Sequence, residues 1–336
     1  MKELTLPQGY TPKLNIRETE VAIKKIKDYF EHALADTLNL TRVSAPLFVR
    51  TGTGINDNLN GIERPVSFDA MVIKDSDIEI IQSLAKWKRI ALQRYGFEMG
   101  EGLYTDMNAI RRDEVLDNLH SIYVDQWDWE KVIVKEARTA ETLFDTVKAI
   151  YKVFLKTEEY VCSCYPHIER ILPEEIFFIS AQELEDLYPA LTPKERESAI
   201  SKDKGAVFIT KIGGVLASGI KHDGRSPDYD DWSLNGDIIF WYPVLNREIE
   251  LSSMGIRVDE AALLQQLEAS GCEDRKSLEY HRLLLDGKLP YTIGGGIGQS
   301  RICMFFLRNA HIGEVQAGVW PEEMLEECCM SGIALL

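Results

Sequence analysis

The chain has no apolar run long enough to cross a membrane: its longest uncharged hydrophobic stretches, 176–181 and 238–245, fall far short of about 20 residues. Its first residues, Met1-Lys2-Glu3-Leu4-Thr5-Leu6-Pro7, carry neither the apolar core nor the small-residue cleavage site of a signal peptide, so a cytoplasmic location is expected. Positive charge is scarce, with 38 basic residues against 54 acidic and a formal net of −16. Such a chain repels a polyphosphate backbone, and no nucleic-acid partner is expected. A single ATP is not excluded by that balance, because a few placed arginines, lysines and a divalent metal neutralise one triphosphate. Cysteine is sparse: Cys162, Cys164, Cys272, Cys303, Cys328 and Cys329 form no CxxC and have no histidine at zinc-ligand spacing, so they read as reduced structural thiols. No G-x-x-x-x-G-K-[ST] and no G-x-G-x-x-G occurs, which removes P-loop and Rossmann readings. Neither a repeat nor a Pro/Gly/Ser-rich linker divides the sequence, so residues 1–336 are expected to form one domain.

At 45% hydrophobic and 27% charged, the composition is that of an ordinary globular protein. Asn15-Ile16-Arg17-Glu18 predicts a capping box ahead of a long helix whose apolar stripe is Val21, Ile26, Phe30, Ala33, Leu34 and Leu38. Val43, Ala45, Leu47 and Val49 alternate like a strand, and Pro46 within it, unable to donate to a ladder, places it at an edge or a dimer interface. A second helix is predicted over 77–94, with Ile80, Leu84, Trp87 and Ala91 on one stripe and Gly96 as its stop. Lys88 lies near that stripe and either snorkels to water or reaches an anionic ligand. Leu143, Val147, Ile150, Tyr151 and Phe154 mark another helix, and Thr192-Pro193-Lys194-Glu195 opens one that ends at Gly205. Strand signals over 176–179, 206–212, 237–245 and 249–258 come in consecutive pairs, which argues for a mainly antiparallel sheet flanked by helices, an α+β fold.

Three segments carry chemistry. Gly294-Gly295-Gly296-Ile297-Gly298-Gln299-Ser300-Arg301 reads as strand, glycine turn and helix start, where glycines admit a flat ligand and Arg301 meets an anion; a tight turn with a surface arginine is the plain alternative. Arg111-Arg112 is followed by His120 to Glu130, in which Gln126, Asp128 and Glu130 share one strand face and Trp127 and Trp129 the other. Burying such a polar row is costly without partners, which favours a ligand site over a core strand, the alternative being a solvated edge. Glu248, Glu250 and Ser252 are predicted on one face of a strand with Asp237 alongside, a set of hard oxygen ligands suited to Mg²⁺ and phosphate. The acidic segment 225–232 is read as a lid or amine-recognition loop, or else as a solvated turn.

With those residues in view, the sequence resembles class II aminoacyl-tRNA synthetases of the aspartyl and asparaginyl kind: Arg111 with the strand to Glu130 looks like motif two, Glu250, Arg257 and the glycine run into Arg301 like motif three, and Pro46 like the dimer-forming motif one. It is more similar still to the aspartate–ammonia ligases, the asparagine synthetase A family, which resemble that catalytic core without an anticodon-binding domain. The likeness spans nearly the whole chain, including 52–59, 82–89, 100–105, 123–130, 251–258 and 293–301; it departs in a longer N-terminal arm, in Thr53 between two glycines and in a shorter loop after Trp232.

The resemblance implies a homodimer that makes asparagine from aspartate, ammonia and ATP with Mg²⁺, through a β-aspartyl adenylate. It implies Asp57, Lys88, Gln126, Asp128 and Arg257 around aspartate or ammonia, with Asp57, Lys88 and Arg111 in catalytic roles. It further implies Arg111, Glu250, Ser252, Ser253, Gly296 and Arg301 around the nucleotide, and Asp237 and Glu250 on the metal. Two rivals stand beside this reading: a synthetase-like enzyme that passes its adenylate to tRNA or another amine, and a non-catalytic sensor on the same fold. The −16 charge weighs against the first, and the joint presence of Arg111, Glu250, Arg257 and Arg301 against the second. Residue 2 is lysine, so no N-terminal cysteine nucleophile for glutamine hydrolysis is expected.

Overall fold

The computed structural model describes residues 4–57, 59 and 63–336; Asn58 of the 52–59 segment and the Met1-Lys2-Glu3 start lie outside the described residues. The chain opens with α1 (Ile16–Leu38), whose Asn15 cap and Glu18 form the expected capping box. Its buried stripe is Thr19, Ala22, Ile26, Phe30, Leu34 and Leu38, whereas Val21 faces outward. Strands β1 (Leu40–Arg42) and β2 (Phe48–Arg50) follow, so of the strand expected from Val43 to Val49 only its end is realised, in β2; residues 43–47 lie outside both strands, tied by Val43 N–H to Tyr104 O and by Ile81 N–H to Leu47 O. Next come β3 (Ser67–Ala70), β4 (Ile73–Ile80) and α2 (Ala85–Tyr95).

The helix expected over 77–94 is therefore half strand. Asp77, Ile78, Glu79 and Ile80 alternate with period two and pair with β2 and β3, and helical spacing takes over only from Ala85. Gly96 closes α2 in the left-handed conformation, as expected.

The central strands β5 (Gly102–Ile110) and β6 (Tyr123–Val132) are followed by α3 (Ala140–Cys164), β7 (Phe177–Ser180), α4 (Ala181–Leu187), α5 (Pro193–Lys204) and β8 (Ala206–Thr210). Then come β9 (Asp230–Tyr242), β10 (Arg247–Arg257), α6 (Glu260–Ala269), α7 (Glu279–Leu285), β11 (Thr292–Gly298), α8 (Gln299–Leu307) and α9 (Glu322–Met330). Among the described residues, eight strands form one sheet in the order β1-β5-β6-β11-β10-β9-β8-β7, antiparallel except for the edge pairs β1/β5 and β7/β8. The predicted antiparallel core is borne out, and β2, β4 and β3 make a second, smaller sheet. Among the described residues no helix is long and apolar enough to cross a membrane, and all six cysteines are unbonded.

The sheet's two faces do different work. On one, Trp127, Phe240, Ile238 and Ile297 pack against α1, α3 and α8 in the main core. On the other, α4 and α5 cover β7 to β9 through Leu184, Ile200, Ile209 and Ile239, while α2 covers β5 and β6 through Leu84, Met107 and Ala109. Between these two covers, β6, β11 and β10 are left to line a cavity of about 640 Å³.

Candidate active site

Register explains why the polar residues converge. One cross-strand row runs Thr105, Asp128, Gly296, Ser253, Asp237, Ile209, and its ends sit under α2 and α5. A β-bulge between Glu250 and Ser252 puts Ser252 opposite Ile238, a core residue, and Ser253 opposite Asp237. The expectation of Glu248, Glu250 and Ser252 on one face is corrected by that extra residue: Ser253 takes the place expected for Ser252. Both serines line the cavity, and the Ser252 hydroxyl is buried without a partner among the described residues.

The glycine run is strand and not turn, a second correction. Its purpose is visible in the space it leaves: a Cβ on Gly296 would lie 2.5 Å from Gln126 Oε1, and one on Gly294 would overlap the Glu130 carboxylate. Glycine here clears room for the polar side chains of β6, and the helix carrying Arg301 starts directly after the strand.

At one end of the cavity lies a buried charge network. Lys88, on α2, donates to Asp128 Oδ1 and, at 2.9 Å, to Gly295 O, with Glu130 Oε2 3.9 Å away. It does not snorkel to water; it is buried. Burial pulls its ammonium below the usual lysine range, against the pull of Asp128, and Arg257 adds to the depression. Arg257 grips Glu130 through Nε at 3.0 Å and a terminal nitrogen at 2.8 Å, and bonds Asp230 with the other. Burial alone would raise the Glu130 carboxyl, but Arg257 outweighs it and holds it ionised. Thr292 adds a hydrogen bond of 2.7 Å to Glu130. Two cations thus face three carboxylates, and Asp128 Oδ2 is buried without a partner among the described residues. An acceptor left open in this way suits a ligand ammonium.

At the other end the groups are cationic and further apart. Arg111 follows β5 on the cavity wall, 3.8 Å from Glu114, with its Nε buried and, among the described residues, unbonded. Arg301 donates to the Glu250 carbonyl at 2.9 Å. Burial works against ionising Glu250, but Arg301, Arg225 and Lys194 hold its carboxyl below the usual range. Asp237 lies behind this wall, bonded to Arg225; burial, with Glu250, Asp223 and Glu197 nearby, lifts its carboxyl to about 7. Among the described residues, no three His, Cys, Asp or Glu side chains converge as a metal cage.

The family model described as aspartate-ammonia ligase matches residues 17–332. The chain belongs to that family. A ligase of this name from Clostridium perfringens is 67% identical over the full length of both chains, and those from Ruminiclostridium cellulolyticum and Lactobacillus johnsonii are 65% and 60% identical, the former over the whole of both chains and the latter over 99% of each. The fold is that of class II synthetases. An asparaginyl-tRNA synthetase from Pyrococcus horikoshii, complexed with asparaginyl-adenylate, superposes with a TM-score of 0.61 at 16% identity, covering 90% of this chain and 70% of that one. An aspartyl-tRNA synthetase from Entamoeba histolytica gives 0.60 at 14%, covering 89% and 58%.

In this member of the ligase family, Lys88, Gln126, Asp128 and Arg257 come together, as do Arg111, Glu250, Ser252, Ser253, Gly296 and Arg301. Asp57 does not itself line the cavity. It is buried beside Lys86, Asp228, Ser226 and Tyr229, the last two of which do line it, and among the described residues neither of its oxygens finds a well-formed hydrogen bond. Burial raises its carboxyl, Lys86 opposes this, and Asp228 adds to it. The acidic segment 225–232 is not a solvated turn: Asp228 bonds Lys86 at 3.3 Å and Arg275 at 2.9 Å, Asp230 bonds Arg257, and Asp231 bonds Arg138 at 2.8 Å. Sequence reasoning missed Glu130 as the anchor of Arg257, and missed Arg225 and Lys194 as wall residues. A buried carboxylate in a tryptophan-flanked strand was the available signal for the first, the segment 225–232, read as a lid or amine-recognition loop, was the signal for Arg225, and Lys194 gave none beyond its place in a capping box.

Proposed function

We propose that the chain makes L-asparagine from L-aspartate, ammonia and ATP, through a β-aspartyl adenylate, releasing AMP and pyrophosphate. The observation that carries this is one continuous cavity, in a ligase-family chain, whose two ends suit an amino acid and a nucleotide. At the first end, Asp128 Oδ2 and Gln126 hold the α-ammonium, and Lys88 and Arg257 hold carboxylate. Arg257 spends only part of its five donors on Glu130 and Asp230, leaving others for the substrate.

A carboxylate is a poor nucleophile toward an anionic phosphate, so positive charge must sit where the transition state accumulates negative charge. Arg111 faces the α-phosphate in this reading, and its unbonded Nε is an idle donor for it. Arg301, Ser252, Ser253 and Gly296 hold the rest of the nucleotide. The β-carboxylate oxygen attacks the α-phosphorus and pyrophosphate leaves. Ammonia then attacks the acyl carbon, and AMP departs with the bridging oxygen. Asp57, whose burial raises its carboxyl, receives the ammonium proton through the wall of Ser226 and Tyr229.

Asp237 and Glu250 suit a divalent cation, since Asp237 stays hard to ionise beside three other carboxylates even with Arg225 attached. Mg²⁺ held by these two, together with phosphate oxygens, would neutralise polyphosphate charge. We further read the chain as one catalytic domain, cytoplasmic and without a nucleic-acid partner, and as a homodimer through the exposed Leu47, Phe48 and Phe68 around Pro46; light scattering should give twice the chain mass. The direct test is incubation with ATP, Mg²⁺, aspartate and either ammonium or glutamine. Asparagine with AMP and pyrophosphate should form from ammonium alone. Binding of ATP and aspartate with no product from any amine would make the protein a sensor.

A further inference from the structure

Arg225 has no part in the reaction as outlined, yet it is held on a carboxylate assigned to the metal. A terminal nitrogen of its guanidinium donates to Asp237 Oδ1, and its Nε is buried without a partner. Among the described residues no other acceptor takes its donors, although a guanidinium offers five. Leaving the buried Nε idle is costly, and the remaining donors face the cavity, where something else can bind them. Lys194, from the first turn of α5, lines the same end of the cavity, held by Glu197 at 2.9 Å and Asp223 at 3.7 Å. The charges of both Arg225 and Lys194 act on Glu250. Two cations therefore stand where the reading above puts a divalent metal and the distal phosphates.

We propose that Arg225 is a placeholder: it occupies Asp237 while no nucleotide is bound, yields that oxygen to the divalent cation, and then joins Lys194 in holding the two phosphates that leave as pyrophosphate. This rests on the assignment of Asp237 and Glu250 to the metal. Buried Asp237 is repelled by Glu250, Asp223 and Glu197; Lys194 pairs with the last two, and Arg225 offsets the repulsion at Asp237 itself. An incoming metal repels the guanidinium as a like charge, and the polyphosphate that arrives with it attracts the same group. A planar fork of donors fits phosphate oxygens in pairs, which a lone ammonium does not. Release of pyrophosphate then returns Arg225 to Asp237.

Calorimetry on the full chain tests this, with Mg²⁺ alone and with inorganic pyrophosphate in saturating Mg²⁺. Arg225→Ala should bind Mg²⁺ alone about tenfold more tightly and pyrophosphate about tenfold more weakly, the size of one charge-assisted hydrogen bond. A merely structural ion pair would weaken both. Unchanged or weaker Mg²⁺ binding overturns the placeholder, and tighter Mg²⁺ with unchanged pyrophosphate overturns the transfer to phosphate. Should Arg225→Ala melt below the assay temperature, Arg225→Gln is read by the same signs. Lys194→Ala should weaken pyrophosphate binding only; no change removes Lys194 from the account. Glu250→Gln distinguishes the underlying assignment: if it leaves Mg²⁺ binding intact, the metal reading itself fails, and the placeholder with it.

Discussion

Asp57 and Arg111 are on opposite sides of the chemistry proposed here, and their variants should separate its two steps. Arg111→Ala should lower aspartate-dependent exchange of pyrophosphate into ATP by about 10²–10³, the loss typical of one transition-state donor. Asp57→Asn should leave that exchange near wild type and slow asparagine formation, because its carboxylate acts only once ammonia arrives. Equal losses in both assays for Asp57→Asn would remove it from the amine step. Lys88 makes the complementary point about stability: it is the ion-pair partner of buried Asp128, while Glu130 keeps Arg257 and Thr292, so a truncation strands the Asp128 carboxylate at a loss of about 3–5 kcal/mol, to be read by urea unfolding beside any binding assay.

Within single elements, the glycine strand is the sharpest constraint. Gly296→Ala would place a methyl 2.5 Å from Gln126 Oε1, so Gln126 must turn aside. The expected outcome is a higher KM for aspartate with stability reduced by about 1–3 kcal/mol, read from kinetics and urea unfolding; an unchanged KM would take Gln126 out of the substrate pocket. What the sequence made legible follows the same logic. The capping boxes at Asn15 and Thr192 were readable because cap and capping glutamate are three residues apart. The face shared by Gln126, Asp128 and Glu130 was readable from period two alone. Segment 77–94 was misread because Ile80 satisfies strand and helix periods at once, and strand pairing with β2 and β3 decided it. The glycine run was misread as a turn because the side chains that demand it come from β6. The bulge that exchanges Ser252 for Ser253, and the meeting of Arg225 with Asp237 and of Lys194 with Asp223, are products of tertiary register. No local pattern reports them.

At the scale of the whole molecule, buried polar links tie distant segments together and set its response to pH. Tyr10 of the N-terminal arm donates to Glu314 at 2.8 Å, and the Thr5 backbone exchanges two hydrogen bonds with the Asn118 side chain, which also reaches Ala310. Next to them His311 is buried, and burial holds its imidazole at about 4, against a weaker opposing pull from Asp117. Its folded value is thus below the ordinary 6.5, so between those values the unfolded chain binds the extra proton. His311 therefore costs no stability above pH 6.5 and progressively more as pH falls toward 4. Unfolding free energy should drop by about 2 kcal/mol from this group between pH 7 and pH 5, and His311→Gln should flatten that slope; an identical slope in the variant would assign the loss elsewhere. In the reaction proposed for the cavity between the covers of α2 and α5, aspartate's own side-chain oxygen becomes the bond to phosphorus. Aspartate labelled with ¹⁸O in the β-carboxylate, turned over with ATP, Mg²⁺ and ammonium, tests this directly by mass spectrometry of the products. One labelled oxygen should appear in AMP and none in pyrophosphate. Unlabelled AMP beside newly formed asparagine would contradict the adenylate.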